Sequence, residues 1–185
     1  MYKLRKLEFR DLDKIEEMIK AAKKNMREAL KIDQWQSGYP NRETYLSDIE
    51  KGIGFVFCGE NDVPVAAAAV IMGNEPWYDK IEGGEFPGKW QGSETGYAAV
   101  HRVCVDISLS GRGIGSEFMK AISEMCVEQG RDSIRIDTHR YNKPMRRMLL
   151  KCGFHETGII HIPESHTTER ITYELILDNA SASKA

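Results

Sequence analysis

Apolar residues recur at helical spacing in two long stretches of the chain. After Asp11 they fall at intervals of three and four, which predicts an amphipathic helix that reaches Leu30. A second set, on one face of residues 113–129, predicts a helix that ends before Gly130. Shorter helices are predicted over residues 43–50 and 142–152, and Gly153 is the stop signal of the latter.

Short apolar runs between these helices predict seven strands, over residues 2–9, 54–58, 63–72, 97–105, 133–138, 154–162 and 169–177. The segment 73–96 holds six glycines and two prolines and predicts a long loop, of a kind that often carries function. The order of elements predicts a mixed α/β fold built as one domain over residues 1–178. We expect the low-complexity residues 179–185 to form a frayed tail.

The composition adds no sign of a nucleic-acid or membrane partner. A net charge of −2 over 185 residues gives no general attraction to polyanions. No apolar run approaches the roughly 20 residues that cross a bilayer, and the N-terminal residues lack the apolar core of a secretory signal. The four cysteines show no metal-ligand spacing, so we expect reduced thiols, no metal and a cytoplasmic protein. An exposed strand or loop edge would allow a homodimer, although no residue demands one.

The stretch DISLSGRGIGSEF, residues 106–118, connects a predicted strand to a predicted helix through three glycines. The first turn of a helix carries free N–H groups and partial positive charge, and glycines let these amides approach a phosphate. The stretch therefore predicts a pyrophosphate cradle, to which Arg112 adds a cation. A tight connection without a ligand is the alternative. The P-loop pattern is absent, and GxGxxG fails because Ser116 stands where its third glycine is needed.

Two motifs in this part of the chain resemble those of the GNAT N-acetyltransferases. The first is VCV at residues 103–105, followed by GRGIGS at 111–116 and a long helix, in which Gly113 and Gly115 take the family's glycine positions. Ser110 stands where the family usually has Arg or Gln, and Arg112 could compensate in part. The second is Asn142, a helix, and the GF pair of residues 153–154. The resemblance covers residues 97–154 well.

This resemblance implies an acyl-CoA N-acyltransferase fold, with a central, mostly antiparallel sheet flanked by helices. The strand of residues 97–105 and the next one splay apart, and acetyl-CoA, the cosubstrate, lies in the cleft; no metal takes part. The residues that the resemblance places on the coenzyme are Val103, Cys104 and Val105 for the pantetheine arm, Gly111, Arg112, Gly113, Ile114, Gly115 and Ser116 for the pyrophosphate, and Asn142. His139, at the end of the next predicted strand, could contact the coenzyme or the acceptor.

Acetyl transfer by direct attack needs a group that removes a proton from the amine. His101 is the first candidate base, because imidazole ordinarily titrates near the working pH and because some family members that act on arylalkylamines carry a histidine there. Strand alternation predicts that His101 faces the same side of the sheet as Val103 and Val105, unless a bulge intervenes. A structural histidine bonded between strands is the alternative. Glu94, acting through a water, is the second candidate base.

The departing thiolate has no obvious acid. The family's usual acid is a tyrosine four residues before the glycine of its GF pair, and Leu149 occupies that position. Tyr141 or Cys152 could replace it, or the thiolate leaves without help. Each residue also has a simpler interpretation, Tyr141 as a packing or surface residue and Cys152 as a small buried apolar one.

Two loops rich in aromatic residues predict the walls of the acceptor site. Trp35 and Tyr39 lie in the loop 31–41, and Trp77 and Tyr78 lie in the segment 73–96. The loop after the first helix borders the acceptor pocket in the family, although the same aromatics could instead cover the edge of the core. The predicted function is acetyl-CoA-dependent N-acetylation of a small-molecule amine. A protein or peptide N-acetyltransferase and a non-catalytic acyl-CoA-binding module stay open as alternatives.

Overall fold

The computed structural model describes residues 2–87, 96–162 and 169–178, which form a seven-stranded sheet in the order β1-β2-β3-β4-β5-β7-β6. Neighbouring strands are antiparallel except β4 and β5, which are parallel. The mixed α/β prediction is confirmed. The strands are β1 (Lys3–Lys6), β2 (Gly54–Cys58), β3 (Pro64–Ile71), β4 (Tyr97–Val105), β5 (Ser133–Thr138), β6 (His155–His161) and β7 (Glu169–Ile176).

In the described part of the chain, four α-helices flank the sheet: α1 (Leu12–Asn25), α2 (Arg42–Glu50), α3 (Ile114–Glu128) and α4 (Lys143–Lys151). The predicted first helix reaches Leu30, but its last turn, Met26–Leu30, is a wider π-helix that ends at Lys31 in the left-handed conformation. Such turns are rare and occur often at functional sites. Here the wide turn contains the buried Met26.

The helices bury the two faces of the sheet. Helices α3 and α4 cover one face, where Phe118, Ile122 and Leu149 are fully buried against strand residues such as Ala68, Val100 and Ile136. Helices α1 and α2 cover the other face around β2, β3 and the end of β4, with Ile15 and Tyr45 in that core. Burial of these apolar side chains is the main stabilising contribution to the fold.

A cleft opens between β4 and β5. Their pairing runs only from Tyr97↔Ser133 to Val100↔Ile136, whereas β4 continues to Val105. The last five residues of β4 therefore lie beyond the pairing with β5, which confirms the splayed strands that the resemblance implies. The edge of β4 that faces this cleft is free of β5 and available to another extended chain.

Strand β4 carries a bulge immediately after the splay begins. His101 pairs with Ala69 and Cys104 with Ala67, so Arg102 and Val103 together oppose one residue of β3. Arg102 has a φ of 56°, in the left-handed region that non-glycine residues rarely adopt. A bulge of this kind re-aims side chains and occurs often next to active sites.

The bulge overturns the predicted orientation of His101. Val103 and Val105 pack with Val100 on the face covered by α3 and α4. His101 lies instead beside Tyr78, on the face of Tyr97 and Ala99. The prediction that His101 shares a face with Val103 and Val105 was wrong, because the extra residue inverts the alternation.

Candidate active site

The glycine turn borders a cavity of about 310 Å³. Gly111 and Gly113 have φ values of 79° and 83°, where a residue with a Cβ would be strained. Among the described residues, no backbone carbonyl accepts a hydrogen bond from the N–H groups of Gly111, Gly113, Ile114 or Gly115. Since these donors precede or begin α3, the turn offers N–H groups and partial positive charge to an anion.

The same cavity extends along the free part of β4. Its lining includes the predicted coenzyme residues Val103, Cys104 and Val105, and the predicted turn residues Gly111, Gly113, Ile114, Gly115 and Ser116. Arg112 is exposed and is not part of this lining, whereas Ser110 is. The anion site in this structure therefore consists of backbone amides, without a cationic side chain in its wall.

A larger cavity of about 440 Å³ adjoins the first. Trp35, Tyr39 and Trp77 line it, which agrees with the placement expected for the two aromatic loops, and His101 lies in its wall. Four residues line both cavities: Met26, Trp35, Val103 and Met145. A thioester in the smaller cavity and an amine in the larger one would meet beside these residues.

In the wall of the larger cavity, the side chain of His101 lies next to a carboxylate. Its Nε2 atom lies 3.0 Å from Oε2 of Glu75, at ion-pair distance, although the contact is not aligned as a hydrogen bond. Burial raises the pKa of Glu75, but the neighbouring His101 and the backbone of Trp77 outweigh burial, and the pKa is lowered. Glu75 is therefore a carboxylate at neutral pH, held next to the candidate base.

Arg102, in β4, connects this strand to the loop of residues 31–41. Its guanidinium donates to both carboxylate oxygens of the buried Asp48, at 2.7 and 3.1 Å, and to the hydroxyl of Tyr39 at 2.8 Å. Burial lowers the pKa of Arg102, but Tyr39 and Asp48 outweigh burial and the pKa is raised. The strained bulge is thus held by an ion pair with α2 and a bond to the loop that walls the cavity.

Replacing Asp48 by alanine is expected to lower the free energy of unfolding by roughly 3 kcal/mol, because it leaves the Arg102 guanidinium buried without its counter-charge. Burial raises the pKa of Asp48 against the opposing effect of Arg102, so the intact pair itself contributes little net stability. Urea denaturation measures the change. Glu124→Ala, which breaks the exposed Lys120–Glu124 pair, is the control, with an expected loss below about 0.5 kcal/mol. Equal losses in the two variants would contradict the prediction.

The other predicted residues that the structure describes either line neither cavity or line the larger cavity where the prediction placed them on the coenzyme. Tyr78 is buried beneath His101, with its hydroxyl donating to Asp137, so it supports the wall without lining it. Asn142 caps α4 and lines the larger cavity rather than the smaller one. His139 is buried and lines neither, and burial lowers its pKa. Glu94 lies outside the described residues.

The candidate acids do not reach the shared region of the cavities. Leu149 is fully buried in the core, Tyr141 is 60% exposed, and neither Tyr141 nor Cys152 lines either of the two cavities. Burial also raises the pKa of the Cys104 thiol to about 12, which disfavours a cysteine nucleophile there.

Sequence reasoning missed Glu75, Asp48 and Arg102. Glu75 is one of five acidic residues in the segment 73–96, and nothing in its spacing from His101 marks it as a partner. Asp48 and Arg102 are 54 residues apart in the chain. The three residues come from α2, from the segment after β3 and from the bulge of β4, so only the folded chain brings them together.

This fold, with a backbone anion site and a joined acceptor cavity at the splayed strands, is that of an acyl-CoA-dependent N-acyltransferase. The sequence matches the model of the Acetyltransferase (GNAT) family over residues 15–154. The chain belongs to this family, and it is an N-acetyltransferase that uses acetyl-CoA as its cosubstrate.

Solved structures agree with this assignment. A GNAT-family acetyltransferase from Streptococcus agalactiae is 29% identical, with a TM-score of 0.79 and 96% of each chain covered. One from Listeria monocytogenes is 17% identical, with a TM-score of 0.69 and 95% of each chain covered. A Salmonella typhimurium protein, whose structure contains its cofactor acetyl-CoA, is 16% identical, with a TM-score of 0.64 and coverage of 96% and 94%. The latter two show the fold alone. A search of the curated proteins gave no match.

Within the described ranges, no helix has the length and apolar character that a membrane span requires. The same residues contain no group of three or more His, Cys, Asp or Glu side chains arranged to hold a metal ion.

Proposed function

We propose that this acetyltransferase acts on a small-molecule amine, which binds in the larger cavity and attacks acetyl-CoA directly. The observation that carries the proposal is the junction of the two cavities at Met26, Trp35, Val103 and Met145. A cavity of about 440 Å³ is of the size that small ligands occupy. Its aromatic wall, formed by Trp35, Tyr39 and Trp77, fits an amine carried on an apolar or aromatic body.

The charges in the larger cavity support a modestly charged acceptor. Glu75 lies against His101, Arg102 against Asp48, and Arg170 lies 3.8 Å from Asp137. Arg102 and Arg170 thus have carboxylate partners, whereas Glu75 has only a neutral imidazole beside it while His101 acts as base, and Asp33 also lines the cavity. The wall therefore carries a small excess of negative charge, which favours an amine over a polyanion. A small amine with one cationic group suits this balance; it releases its extra proton to solvent, and the neutral amine then attacks.

In the proposed reaction, the amine nitrogen forms a bond to the carbonyl carbon of the thioester, and its proton passes to the imidazole of His101. The carbon–sulfur bond then breaks and coenzyme A leaves as a thiolate. The N–H groups of Gly111, Gly113, Ile114 and Gly115 hold the pyrophosphate, and the free edge of β4 binds the pantetheine arm. His101 contributes as general base, which is typically worth a factor of 10² to 10⁴.

A panel of acceptors tests this function. The protein is incubated with acetyl-CoA and, separately, with arylalkylamines, alkylamines, polyamines, amino acids and lysine-containing peptides. Release of the free thiol is followed with a thiol reagent, and the product is verified by mass spectrometry. We expect kcat/KM to be highest for a small amine with an apolar or aromatic body. Preferred turnover of the peptides would overturn the small-molecule assignment.

Further features belong to the same proposal. A cytoplasmic location is supported by four cysteines that are all free thiols. The homodimer and the single domain over residues 1–178 stay predictions, and sedimentation of the purified protein would test the first.

A further inference from the structure

Two neighbours hold the imidazole of His101: the carboxylate of Glu75 and the ring of Tyr78. The side chains are 18% and 12% exposed, so both are largely withdrawn from water. The ring of Tyr78 stacks on the imidazole, with centroids 6.2 Å apart and an angle of 16° between the planes. Tyr78 is itself buried and donates to Asp137 at 3.0 Å. The imidazole therefore has an anchored aromatic ring against its face and a carboxylate at its Nε2 edge.

Glu75 is held in place through its own backbone. Its N–H donates to the hydroxyl of Tyr97 at 2.7 Å, and that hydroxyl donates to the side chain of Asn74 at 3.0 Å. Tyr97 is buried in β4, four residues before His101. One strand thus carries both the imidazole and the group that anchors its carboxylate partner, which fixes their relative position.

The orientation of the ring suits a proton acceptor. Nε2 faces the carboxylate, which leaves Nδ1 for the attacking amine. When Nδ1 takes a proton, the ring becomes a cation beside a carboxylate that is otherwise uncompensated. Among the described charged residues around the larger cavity, Arg102 is paired with Asp48, Arg170 lies 3.8 Å from Asp137, and Asp33 is a further carboxylate. The carboxylate therefore stabilises the charge that develops on the ring during attack.

We propose that Glu75 is a positioning residue of the acetyl transfer: its carboxylate orients the imidazole of His101, with Nδ1 toward the amine, and stabilises the protonated ring. This rests on the proposed role of His101 as base. The amine proton moves to Nδ1 as the carbon–nitrogen bond forms, and Glu75 itself does not take that proton.

Steady-state kinetics of Glu75→Gln, Glu75→Asp, His101→Ala and the double variant Glu75→Gln/His101→Ala test the proposal. Glu75→Gln is expected to lower kcat about 10- to 100-fold, a part of the full contribution of a general base. The acidic limb of its kcat/KM profile is expected at lower pH, because the charge that favours the protonated ring is gone. Glu75→Asp, which keeps the charge, should keep the limb in place and restore part of kcat. The double variant should be no slower than His101→Ala, because Glu75 acts only through the imidazole that His101→Ala already removes.

Glu82→Gln is the matched control. Glu82 lies 3.3 Å from His161 in an exposed pair outside both cavities, so its variant should keep wild-type kcat and pH profile. An unchanged kcat and acidic limb in Glu75→Gln would overturn the proposal. It would also be overturned if Glu75→Gln were slower than His101→Ala, since Glu75 would then be the base itself.

Two readouts separate this proposal from the proposed function. Calorimetry of acetyl-CoA binding should give equal affinities for wild type and Glu75→Gln, because Glu75 does not line the smaller cavity. The ¹⁵N shifts of the imidazole should show the Nε2–H tautomer in wild type and a mixture in Glu75→Ala. A mixture in wild type would overturn the positioning role even in an active enzyme. A wild type that turns over no amine would overturn the proposed function, while the tautomer still decides whether Glu75 orients the ring.

Discussion

The Gly113→Glu variant is expected to lose at least about 100-fold in affinity for acetyl-CoA, because a carboxylate would stand where the pyrophosphate meets the amides of the turn. Repulsion between charges a few ångströms apart near a protein surface reaches several kcal/mol, and 2.8 kcal/mol corresponds to 100-fold. The left-handed φ of 83° adds strain of about 1–2 kcal/mol for any residue with a Cβ. Isothermal calorimetry measures the affinity, and circular dichroism checks that the variant remains folded.

Gly130→Glu is the control for this substitution. Gly130 follows the other end of α3, has a φ of 70° and is surrounded by open space, as is Gly113. The control therefore introduces the same charge and a similar strain outside the cavity, and we expect wild-type affinity. Retained binding in a folded Gly113→Glu variant would show that the turn does not hold the pyrophosphate.

The His101→Ala variant is expected to reduce kcat about 10²- to 10⁴-fold at neutral pH, the range typical of a lost general base. Its affinity for acetyl-CoA should stay unchanged, because His101 lines the acceptor cavity and not the smaller one. Steady-state kinetics with the best acceptor of the panel measures kcat, and calorimetry measures the affinity. The loss should shrink at high pH, where more of a free amine acceptor is already unprotonated.

His155→Ala controls for the loss of a histidine as such, since His155 is exposed on β6 and is expected to show wild-type kcat. If His101→Ala kept full activity at neutral pH, His101 would be a structural residue. If it lost affinity for acetyl-CoA together with kcat, the separation of the two cavities would be contradicted.

The ion pair between Arg102 and Asp48 is expected to affect the position of His101 as well as the stability of the fold. Arg102, in the strained bulge next to His101, is held by Asp48 and Tyr39. A loss of that ion pair in Asp48→Ala should therefore disturb the placement of His101 as well as lower the free energy of unfolding. Strain of this kind persists only where the surrounding structure holds it, and it clusters at functional sites.

Local features of the chain were sufficient for most of the fold. Helical spacing after Asp11 and in residues 113–129 predicted α1 and α3, because a helix buries a face that recurs every three or four residues. The glycines at 111, 113 and 115 predicted a turn with free backbone donors before α3, because such donors need only a helix start and room. Its role as the pyrophosphate site stays a prediction. The two aromatic loops predicted three residues that line the acceptor cavity, Trp35, Tyr39 and Trp77.

The tertiary structure alone decided which side chains surround His101. One extra residue in β4 turns His101 away from Val103 and toward Glu75, and a strand's alternation cannot show where a bulge will interrupt it. Glu75 and Asp48 come from a loop and a helix that are remote in sequence, so their spacing in the chain does not predict that they lie next to His101 and Arg102. The sequence by itself indicated the candidate coenzyme cradle, whose chemistry is local; the candidate base, its neighbouring carboxylate and the larger cavity depend on contacts between distant segments, which only folding brings together.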